Sequence, residues 1–244
     1  MSDKLVIIPT YNEIENVETM IHKVFSLPRD FHILIVDDGG PDGTAEKVIE
    51  LQKEYPGKLH LMQRKGKQGL GTAYIAGFKW ALEINYEFIF EMDCDFSHNP
   101  EDLVRLHEAC SNGADIAVGS RYKTGINVVN WPIGRVLMSY YASAYVRWIT
   151  GLQVRDTTAG FVCYRAEVLR TIELDKIKFK GYAFQIEMKF TAWKIGFKLE
   201  EVSIIFYDRT LGQSKMSSGI FKEAFFGVLD MKIRSWFRKF PKRP

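Results

Sequence analysis

The sequence contains little cysteine and little proline. Its 244 residues include eight prolines and three cysteines, Cys94, Cys110 and Cys163. The odd number and the spacing of the cysteines fit neither a disulfide framework nor a Cys/His zinc site, so we expect reduced thiols and a cytoplasmic protein. With 46% hydrophobic and 26% charged residues, the composition excludes a disordered chain and is sufficient for a large core.

The sequence also lacks a long hydrophobic run. A membrane-spanning helix needs about 18 or more consecutive apolar residues, and the most apolar segment, residues 136–149, is interrupted by Arg147. Residues 1–4 have neither the basic flank nor the apolar stretch of a secretory signal. We therefore expect no export and no membrane span.

A large excess of either charge is lacking as well. The 33 basic and 30 acidic residues leave a net charge of +3, which is too small to attract a polyanion, so no nucleic-acid partner is expected. Residues 222–244 contain seven basic and two acidic residues, so this segment carries +5 and the rest of the chain −2. The excess positive charge is therefore confined to the C-terminal segment.

The first half of the chain alternates strand and helix signals. Apolar runs bounded by turn residues predict strands, and the segments between them predict helices, the first opened by a capping box of Asn12 and Glu15. This alternation predicts an α/β domain with a mostly parallel, Rossmann-like sheet covered by helices on both faces. The predicted strands are residues 4–9, 32–37, 59–64, 88–92 and 116–120, and the predicted helices are residues 12–27, 44–55, 71–84 and 100–112.

Polar residues follow four of the predicted strands. Ligands of such sheets bind outside the carboxyl ends of the strands, so we expect these residues to meet in one cleft. Asp93 and Asp95 follow the fourth strand; two close carboxylates repel each other unless a cation lies between them, and their oxygens favour Mg²⁺ or Mn²⁺, which usually hold phosphates. A solvated loop with helix caps is the alternative for this pair, as a turn is for Asp37 and Asp38.

Six short motifs occur along most of the chain: PTYNE at 9–13, VDDGGPDGT at 36–44, DCDFSH at 93–98, GSRY at 119–122, DTTAGF at 156–161, and Arg209 with GQSK at 212–215. Their set and order resemble the motifs of the dolichyl-phosphate mannosyltransferases, inverting GT-A glycosyltransferases of family 2. Two positions depart from the usual pattern: Cys94 stands where alanine is common, and Gly40 where serine is common. Glycine instead of serine at position 40 removes a hydroxyl near the expected nucleotide. We expect this difference to alter either the preference for the nucleotide base or the rigidity of the loop.

The resemblance implies a reaction and a set of partners. The protein would transfer mannose from GDP-mannose, with inversion, to the phosphate of a polyprenol or dolichol, with Mg²⁺ or Mn²⁺ as cofactor. A phosphate monoester is largely anionic at neutral pH, so the acceptor would need no general base. The protein would act as a peripheral protein on the cytoplasmic face of a membrane, with or without a separate membrane-anchoring subunit.

The resemblance also assigns roles to individual residues. Arg121 and Arg135 are candidates for holding the acceptor phosphate, because a guanidinium pairs with phosphate in a bidentate way. Asp156 would orient one of these arginines, and Asp95 with Ser97 would hold the metal; Asp95, Arg121, Arg135 and Asp156 form the expected catalytic group. The nucleotide sugar would be bound by Pro9, Tyr11, Glu13, Val36, Asp38, Asp93, Cys94, Asp95, Arg121, Arg209 and Lys215.

Two other functions are compatible with the sequence. A related transferase would keep the fold but use another donor or acceptor, as in a UDP-glucose-dependent polyprenyl-phosphate transferase or a polysaccharide synthase. A nucleotide-binding or membrane-binding module would hold a cation on its acids without turnover. A panel of sugar donors distinguishes the related transferase from a mannosyltransferase. An assay that supplies both donor and acceptor distinguishes the binding module, which would bind nucleotide without turnover.

The C-terminal segment predicts an amphipathic helix over residues 219–240. On a helical wheel its large apolar residues, from Phe221 to Phe240, share one face, and Glu223, Arg234 and Arg238 lie opposite. The helix would pack this apolar face on the catalytic domain, lie in the membrane interface, or do both in part, with its first turns packed and its tail bound to lipid. We therefore divide the chain into a GT-A domain, residues 1–217, and a basic helix with its tail, residues 218–244.

Overall fold

A computed structural model describes residues 3–181, 183–209 and 219–243, without the side chains of 219–224. The strands are β1 (Lys4–Thr10), β2 (His32–Asp37), β3 (Leu59–Gln63), β4 (Phe88–Glu91), β5 (Ile116–Ser120), β6 (Val128–Val129), β7 (Val162–Arg165), β8 (Leu199–Ser203) and β9 (Phe206–Tyr207). The helices are α1 (Ile14–Phe25), α2 (Thr44–Leu51), α3 (Leu70–Glu83), α4 (Asp102–Ser111), α5 (Ile133–Thr150), α6 (Ala166–Thr171), α7 (Ala183–Ile195) and α8 (Gly219–Phe237), with a short 3₁₀ turn at Leu174–Lys176.

Seven strands form the main sheet in the order β3-β2-β1-β4-β7-β5-β8. All neighbouring strands are parallel except β7, which runs antiparallel between β4 and β5. The mostly parallel α/β fold predicted from the sequence is confirmed, and each of the five predicted strands forms with its ends within one residue of the prediction. Strands β6 and β9 pair separately.

The core lies on both faces of the sheet. Successive residues of a strand point to opposite faces, and accordingly Leu5 and Ile7 of β1 join an apolar cluster with α3, α6 and α7. Val6 and Ile8 join the cluster formed with α1, α2 and α4. All four side chains are fully buried, which explains why β1 is a continuous apolar run and not an alternating one.

The start of α1 differs from the prediction. Asn12 has a left-handed backbone conformation with a φ of 56°, and the residue at the N-cap is Glu13, without a side-chain cap. The expected capping box is therefore wrong. The carboxylate of Asp42 instead accepts a hydrogen bond from the amide of Ile14 at 3.0 Å, and the hydroxyl of Thr44 accepts one from the amide of Glu13 at 3.0 Å. These bonds tie the loop after β1 to the loop after β2.

Helix α8 packs on α5 and α7 by a face that the helical wheel did not favour. Its buried side chains are Val228, Met231 and Ser235, and Val228 and Met231 join a small cluster with residues of α5 and α7. The predicted apolar face is divided. Trp236 is 68% and Phe237 83% exposed, whereas Phe225 stacks on Tyr145 of α5 and Phe240 packs against the core.

Two further points concern the ends of the fold. Among the described ranges, no helix is both long and apolar enough to cross a membrane. The proposed division of the chain between residues 217 and 218, and the side chains of Phe221 and Glu223, lie outside the described residues.

Candidate active site

The polar residues that follow β1, β2, β4 and β5 meet in one cavity of about 390 Å³. The convergence expected from the topology of a parallel sheet is thus observed. The lining residues fall into a group near β1 and β2, a group after β4, and a group around β5 and α5. They include Pro9, Tyr11, Glu13, Asp38, Lys67, Asp93, Cys94, Asp95, Ser97, His98, Arg121, Trp131, Arg135, Thr158, Lys180, Gln185, Phe206, Asp208 and Arg209.

The first group forms the end expected to bind the nucleoside. Pro9, Tyr11, Glu13 and Asp38 line it as predicted. Val36 does not belong to the lining, because its side chain is fully buried in the apolar cluster that β1 and β2 form with α3, α6 and α7.

Two basic residues shape this end. Arg64 pairs with Asp38 at 2.5 Å and donates a hydrogen bond to the hydroxyl of Thr72 at 2.8 Å. The ammonium of Lys67 lies 5.4 Å from the centre of the Tyr11 ring, within reach of a cation–π interaction. The basic segment before α3 therefore forms part of the cavity wall.

Gly40, one of the two departures from the family pattern, is required by a close approach of two loops. A Cβ atom at this position would lie 2.7 Å from the backbone nitrogen of Asn12, which is closer than van der Waals contact allows. The absence of a side chain here lets the loops after β1 and β2 meet at the nucleoside end.

We expect Gly40→Ser to lower the free energy of unfolding by about 1 to 3 kcal/mol, because overpacking forces the backbone to shift. Chemical denaturation measures the effect, and GDP affinity should fall with it. Gly134→Ser is the matched control, since a Cβ there meets open space. Equal stability of both variants would contradict the close-approach argument.

The group after β4 is suited to a divalent cation. Asp95 is buried, and its carboxylate accepts a hydrogen bond from the amide of Ser97 at 3.1 Å. The hydroxyl of Ser97 is buried and meets no hydrogen-bond partner among the described residues. A carboxylate beside an unsatisfied hydroxyl fits Mg²⁺ or Mn²⁺, which take oxygen ligands and leave positions for the phosphates of a substrate. No cluster of three or more His, Cys, Asp or Glu side chains accompanies them in the described ranges.

A cation of the chain itself already lies at this point. The guanidinium of Arg209 pairs with Asp95 at 3.0 Å. Arg209 therefore contacts one of the acids expected to hold the metal. This position is compatible with its predicted binding of the nucleotide sugar. Lys215, assigned to the same group, lies outside the described residues.

A buried ion pair forms the third part of the cavity. The Arg121 guanidinium donates two hydrogen bonds to the Asp156 carboxylate, from Nε at 2.7 Å and from Nη2 at 2.6 Å, and Nη2 also donates to Thr158 at 2.9 Å. Burial by itself raises the pKa of Asp156, but the Arg121 charge outweighs this effect and holds the pKa below its ordinary value. Asp156 is fully buried and is not among the residues that line the cavity, so its contact with the site runs through Arg121.

Arg135 lies at the start of α5, at the same end of the cavity. Its guanidinium donates to the carboxylate of Asp208 at 2.8 Å and lies over the ring of Trp131, 4.0 Å from its centre. The two arginines proposed from the sequence therefore line one cavity, and both guanidinium groups lie near the same indole ring, that of Trp131.

His98 is the histidine of the site, and it is neutral. Burial lowers its pKa to about 4, and its Nδ1 accepts a hydrogen bond from the amide of Asp93 at 3.2 Å. The ring stacks on Phe161 with centres 4.8 Å apart. His98 therefore fixes the loop that carries the acids and is too weak a base to remove a proton efficiently near pH 7.

Glu91 and Lys189 are both buried, and their charges influence each other. Burial raises the pKa of Glu91 to about 8 and lowers that of Lys189 to about 8. The Lys189 ammonium donates hydrogen bonds to the carbonyl of Ala159 at 2.6 Å and to that of Gln185 at 3.0 Å. Ala159 and Gln185 both line the cavity. The hydrogen bond to Ala159 joins the loop after Asp156 to α7, which contains Lys189.

Sequence reasoning missed several lining residues. Of these, Thr158 belongs to the DTTAGF motif but was given no role, whereas the others come from segments without a motif. Their position depends on long-range packing: for example, the amide of Gly71 donates to the carbonyl of Lys180 at 2.8 Å. The missed residues are Lys67, Trp131, Thr158, Lys180, Gln185, Phe206 and Asp208.

Solved structures with the same fold are glycosyltransferases. A mannosyltransferase from Pyrobaculum calidifontis in complex with GDP-Man and Mn²⁺ superposes with a TM-score of 0.63 at 15% identity, covering 99% of this chain and 66% of that one. Glucosyl-3-phosphoglycerate synthase from Mycobacterium tuberculosis, with Mn²⁺, UDP and glucosyl-3-phosphoglycerate, gives 0.67 at 16% identity, covering 94% and 78%. At this identity the likeness establishes the GT-A fold alone.

Similar sequences include three curated proteins. Polyprenol monophosphomannose synthase of Mycolicibacterium smegmatis is 47% identical, covering 94% of this chain and 87% of that protein. Undecaprenyl-phosphate mannosyltransferase of Micrococcus luteus is 46% identical, covering 92% and 91%, and dolichol-phosphate mannosyltransferase of Pyrococcus furiosus is 39% identical, covering 86% and 58%. The model of the family described as Glycosyl transferase family 2 matches residues 5–173. With more than half of its length matched by that model, the chain belongs to glycosyl transferase family 2.

Proposed function

We propose that the protein transfers mannose from GDP-mannose to the phosphate of a polyprenol or dolichol, with inversion at the anomeric carbon. One observation carries the proposal: a single cavity contains acids suited to a cation after β4 and two arginines, Arg121 and Arg135, suited to a phosphate. The names of the three curated relatives, each a mannosyl transferase or synthase for a lipid phosphate, support the choice of sugar and acceptor.

The acceptor side explains how the reaction proceeds without a general base. A phosphate monoester has a second pKa of about 6 and is largely dianionic at neutral pH, so its oxygen is already a nucleophile. Arg121, held rigidly by Asp156, would orient this oxygen towards the sugar, and Arg135 would share its charge. A neutral His98 with a pKa of about 4 is consistent with this role of the arginines.

The donor side must stabilise the leaving group. Asp95 and Ser97 would hold Mg²⁺ or Mn²⁺, which when bound neutralises the charge that develops on the departing diphosphate. Arg209, now paired with Asp95, would add a second positive charge by exchanging this carboxylate for a phosphate oxygen.

The bond changes balance without a further reactant. The bond from the acceptor oxygen to the anomeric carbon forms as the bond from that carbon to the β-phosphate oxygen breaks. The electron pair of the broken bond leaves with GDP, and attack from the opposite side inverts the anomeric centre. The products are GDP and the lipid phosphate mannose.

We also propose that the protein binds peripherally to the cytoplasmic face of a membrane, through α5 and α8. Trp148 of α5 is 81% exposed, and Ile133 and Tyr141 of the same helix are also exposed, as are aromatic side chains of α8. Large aromatics on an exposed helix face are typical of interfacial helices. The lipid acceptor would be reached there, because α5 begins beside Arg135 at the cavity.

The basic residues of α8 and the tail contribute less to this contact than their number suggests. Arg234 pairs with Asp230 at 2.7 Å and Arg243 with Asp115 at 3.0 Å, and the ammonium of Lys232 donates to the carbonyl of Thr150 at 3.2 Å. Because these charges have partners in the chain, the exposed apolar side chains provide most of the proposed attraction.

The double substitution of Trp236→Ser and Phe237→Ser should weaken co-sedimentation with anionic liposomes at least about tenfold, because burying one such side chain contributes roughly 1.5 to 3 kcal/mol. GDP affinity should not change. Ile49→Ser, on α2 at the other face of the sheet, removes an exposed apolar side chain and should leave sedimentation as it is. Equal sedimentation of the double variant and the wild type would contradict the proposed surface.

A donor panel tests the proposed function. The purified protein, undecaprenyl phosphate in detergent and Mn²⁺ are combined with GDP-mannose, UDP-glucose or GDP-glucose, and release of the nucleotide is measured. We expect acceptor-dependent release of GDP from GDP-mannose at the highest rate. Preferred release of UDP would indicate the related glucosyltransferase, and no acceptor-dependent release from any donor would indicate a binding module.

A further inference from the structure

Trp131 lies near both arginines of the cavity. It precedes α5 and lines the cavity as a half-buried side chain. The centre of its ring is 4.0 Å from the guanidinium carbon of Arg135 and 5.6 Å from that of Arg121. The ring of Phe206 meets the indole edge-on with centres 5.2 Å apart. One indole thus contacts both guanidinium groups.

This arrangement addresses an electrostatic problem. Both distances are measured to the same ring, so the two guanidinium carbons lie within about 10 Å of each other, and two like charges this close in a partly buried site repel. The electron-rich face of an indole attracts a guanidinium, by about 0.5 to 2 kcal/mol depending on its exposure. Asp156 and Asp208 each pair with one of these arginines, and the indole ring adds to the stabilisation of both.

The two arginines differ in how firmly they are held. Arg121 makes a bidentate bond to the fully buried Asp156. Arg135 is one-third exposed, and its contacts in the described part of the chain are a single hydrogen bond to Asp208 and the face of Trp131. The orientation of Arg135 depends on the indole more than that of Arg121 does.

We infer that Trp131 is a positioning residue for the acceptor: its ring holds Arg135 beside Arg121 so that both guanidinium groups can engage one phosphate. The inference rests on the proposed function and adds to it a residue that the motifs did not indicate. The indole nitrogen meets no hydrogen-bond acceptor among the described residues, so the ring is held by its contacts with the arginines and Phe206 and not by a hydrogen bond of its own.

The test compares Trp131→Leu, Trp131→Phe and the control Trp80→Leu. Trp80 also packs against aromatic rings, those of His60 and Tyr86, but does not line the cavity. For Trp131→Leu we expect the KM for undecaprenyl phosphate to rise about tenfold, with GDP affinity within about twofold of the wild type. Trp131→Phe should recover most of the loss, because a phenyl face still attracts a guanidinium. Trp80→Leu should not change either quantity.

Direct titration of undecaprenyl phosphate into the protein with GDP and Mn²⁺ gives a second measurement that needs no turnover. An unchanged acceptor KM and affinity in Trp131→Leu would overturn the inference. An equal loss of GDP and acceptor affinity, or failure of Trp131→Phe to recover, would also overturn it, since a residue needed only for packing would give that result. A wild-type protein without mannose transfer would defeat the proposed function, whereas the titration would still decide the role of Trp131.

Discussion

Replacing Asp95 with alanine is expected to reduce mannose transfer at least about a hundredfold while the fold persists. Asp95 faces the cavity, and its partners are the amide of Ser97 and the guanidinium of Arg209. The substitution removes the carboxylate proposed to hold the divalent cation, and losing a group aimed at developing charge typically costs a factor of 10² to 10³ in rate. The measurement is the initial rate of GDP release from GDP-mannose with saturating Mn²⁺.

Two variants sharpen this test. Cys94→Ala changes the neighbouring cavity residue to the one that is common in the family pattern, and it should retain near-normal activity. Asp95→Asn keeps the shape but removes the charge, and it should be almost as impaired as Asp95→Ala. Near-normal transfer by Asp95→Ala, with unchanged circular dichroism, would contradict the proposed role of this carboxylate.

Arg121→Ala should lower kcat/KM for the lipid phosphate by about a hundredfold, because a hydrogen bond between charged groups contributes about 1.5 to 3 kcal/mol. GDP affinity, measured by calorimetry, should stay within about threefold. A large loss of GDP affinity would place Arg121 on the donor side. Stability should also fall, by about 3 kcal/mol, because the fully buried Asp156 then lacks its partner.

The double variant Arg121→Ala, Asp156→Ala separates the two effects. Removing both members of a buried ion pair is much less costly than removing one, so this protein should regain most of the lost stability. Its transfer activity should remain as low as that of the single variant, because the charge that holds the acceptor is still missing. Recovery of activity with stability would show that Arg121 has a structural role only.

The strands that position the site could be predicted because their signal is local. Strands β1, β2, β4 and β5 are largely apolar runs buried on both faces, and β3 is a partly exposed run at the edge of the sheet. Their order along the chain dictates that their carboxyl ends share one edge. Strand β7 was missed: it is four residues long, Val162–Arg165, and its place between β4 and β5 depends on antiparallel pairing with distant segments. No local pattern specifies such an insertion.

The packing of α8 shows a second limit of sequence reasoning. The helical wheel located the aromatic face but could not decide which face meets the domain. Gly227 is one structural reason why a different face packs, because it lets α8 approach the ring of Phe179 so closely that a Cβ there would be 2.7 Å from it. The role of Trp131 was hidden for the same kind of reason, since its contacts with Arg121 and Phe206 are made across the fold.

The central claim is tested most directly by isolating the product. The protein is incubated with GDP-mannose, undecaprenyl phosphate and Mn²⁺, and the lipid product is purified and examined by mass spectrometry and by NMR of its anomeric centre. The account predicts one mannose joined to the lipid phosphate in the β configuration, opposite to that of the α-linked donor. An α-linked product, or a lipid that carries no mannose although GDP is released, would contradict it.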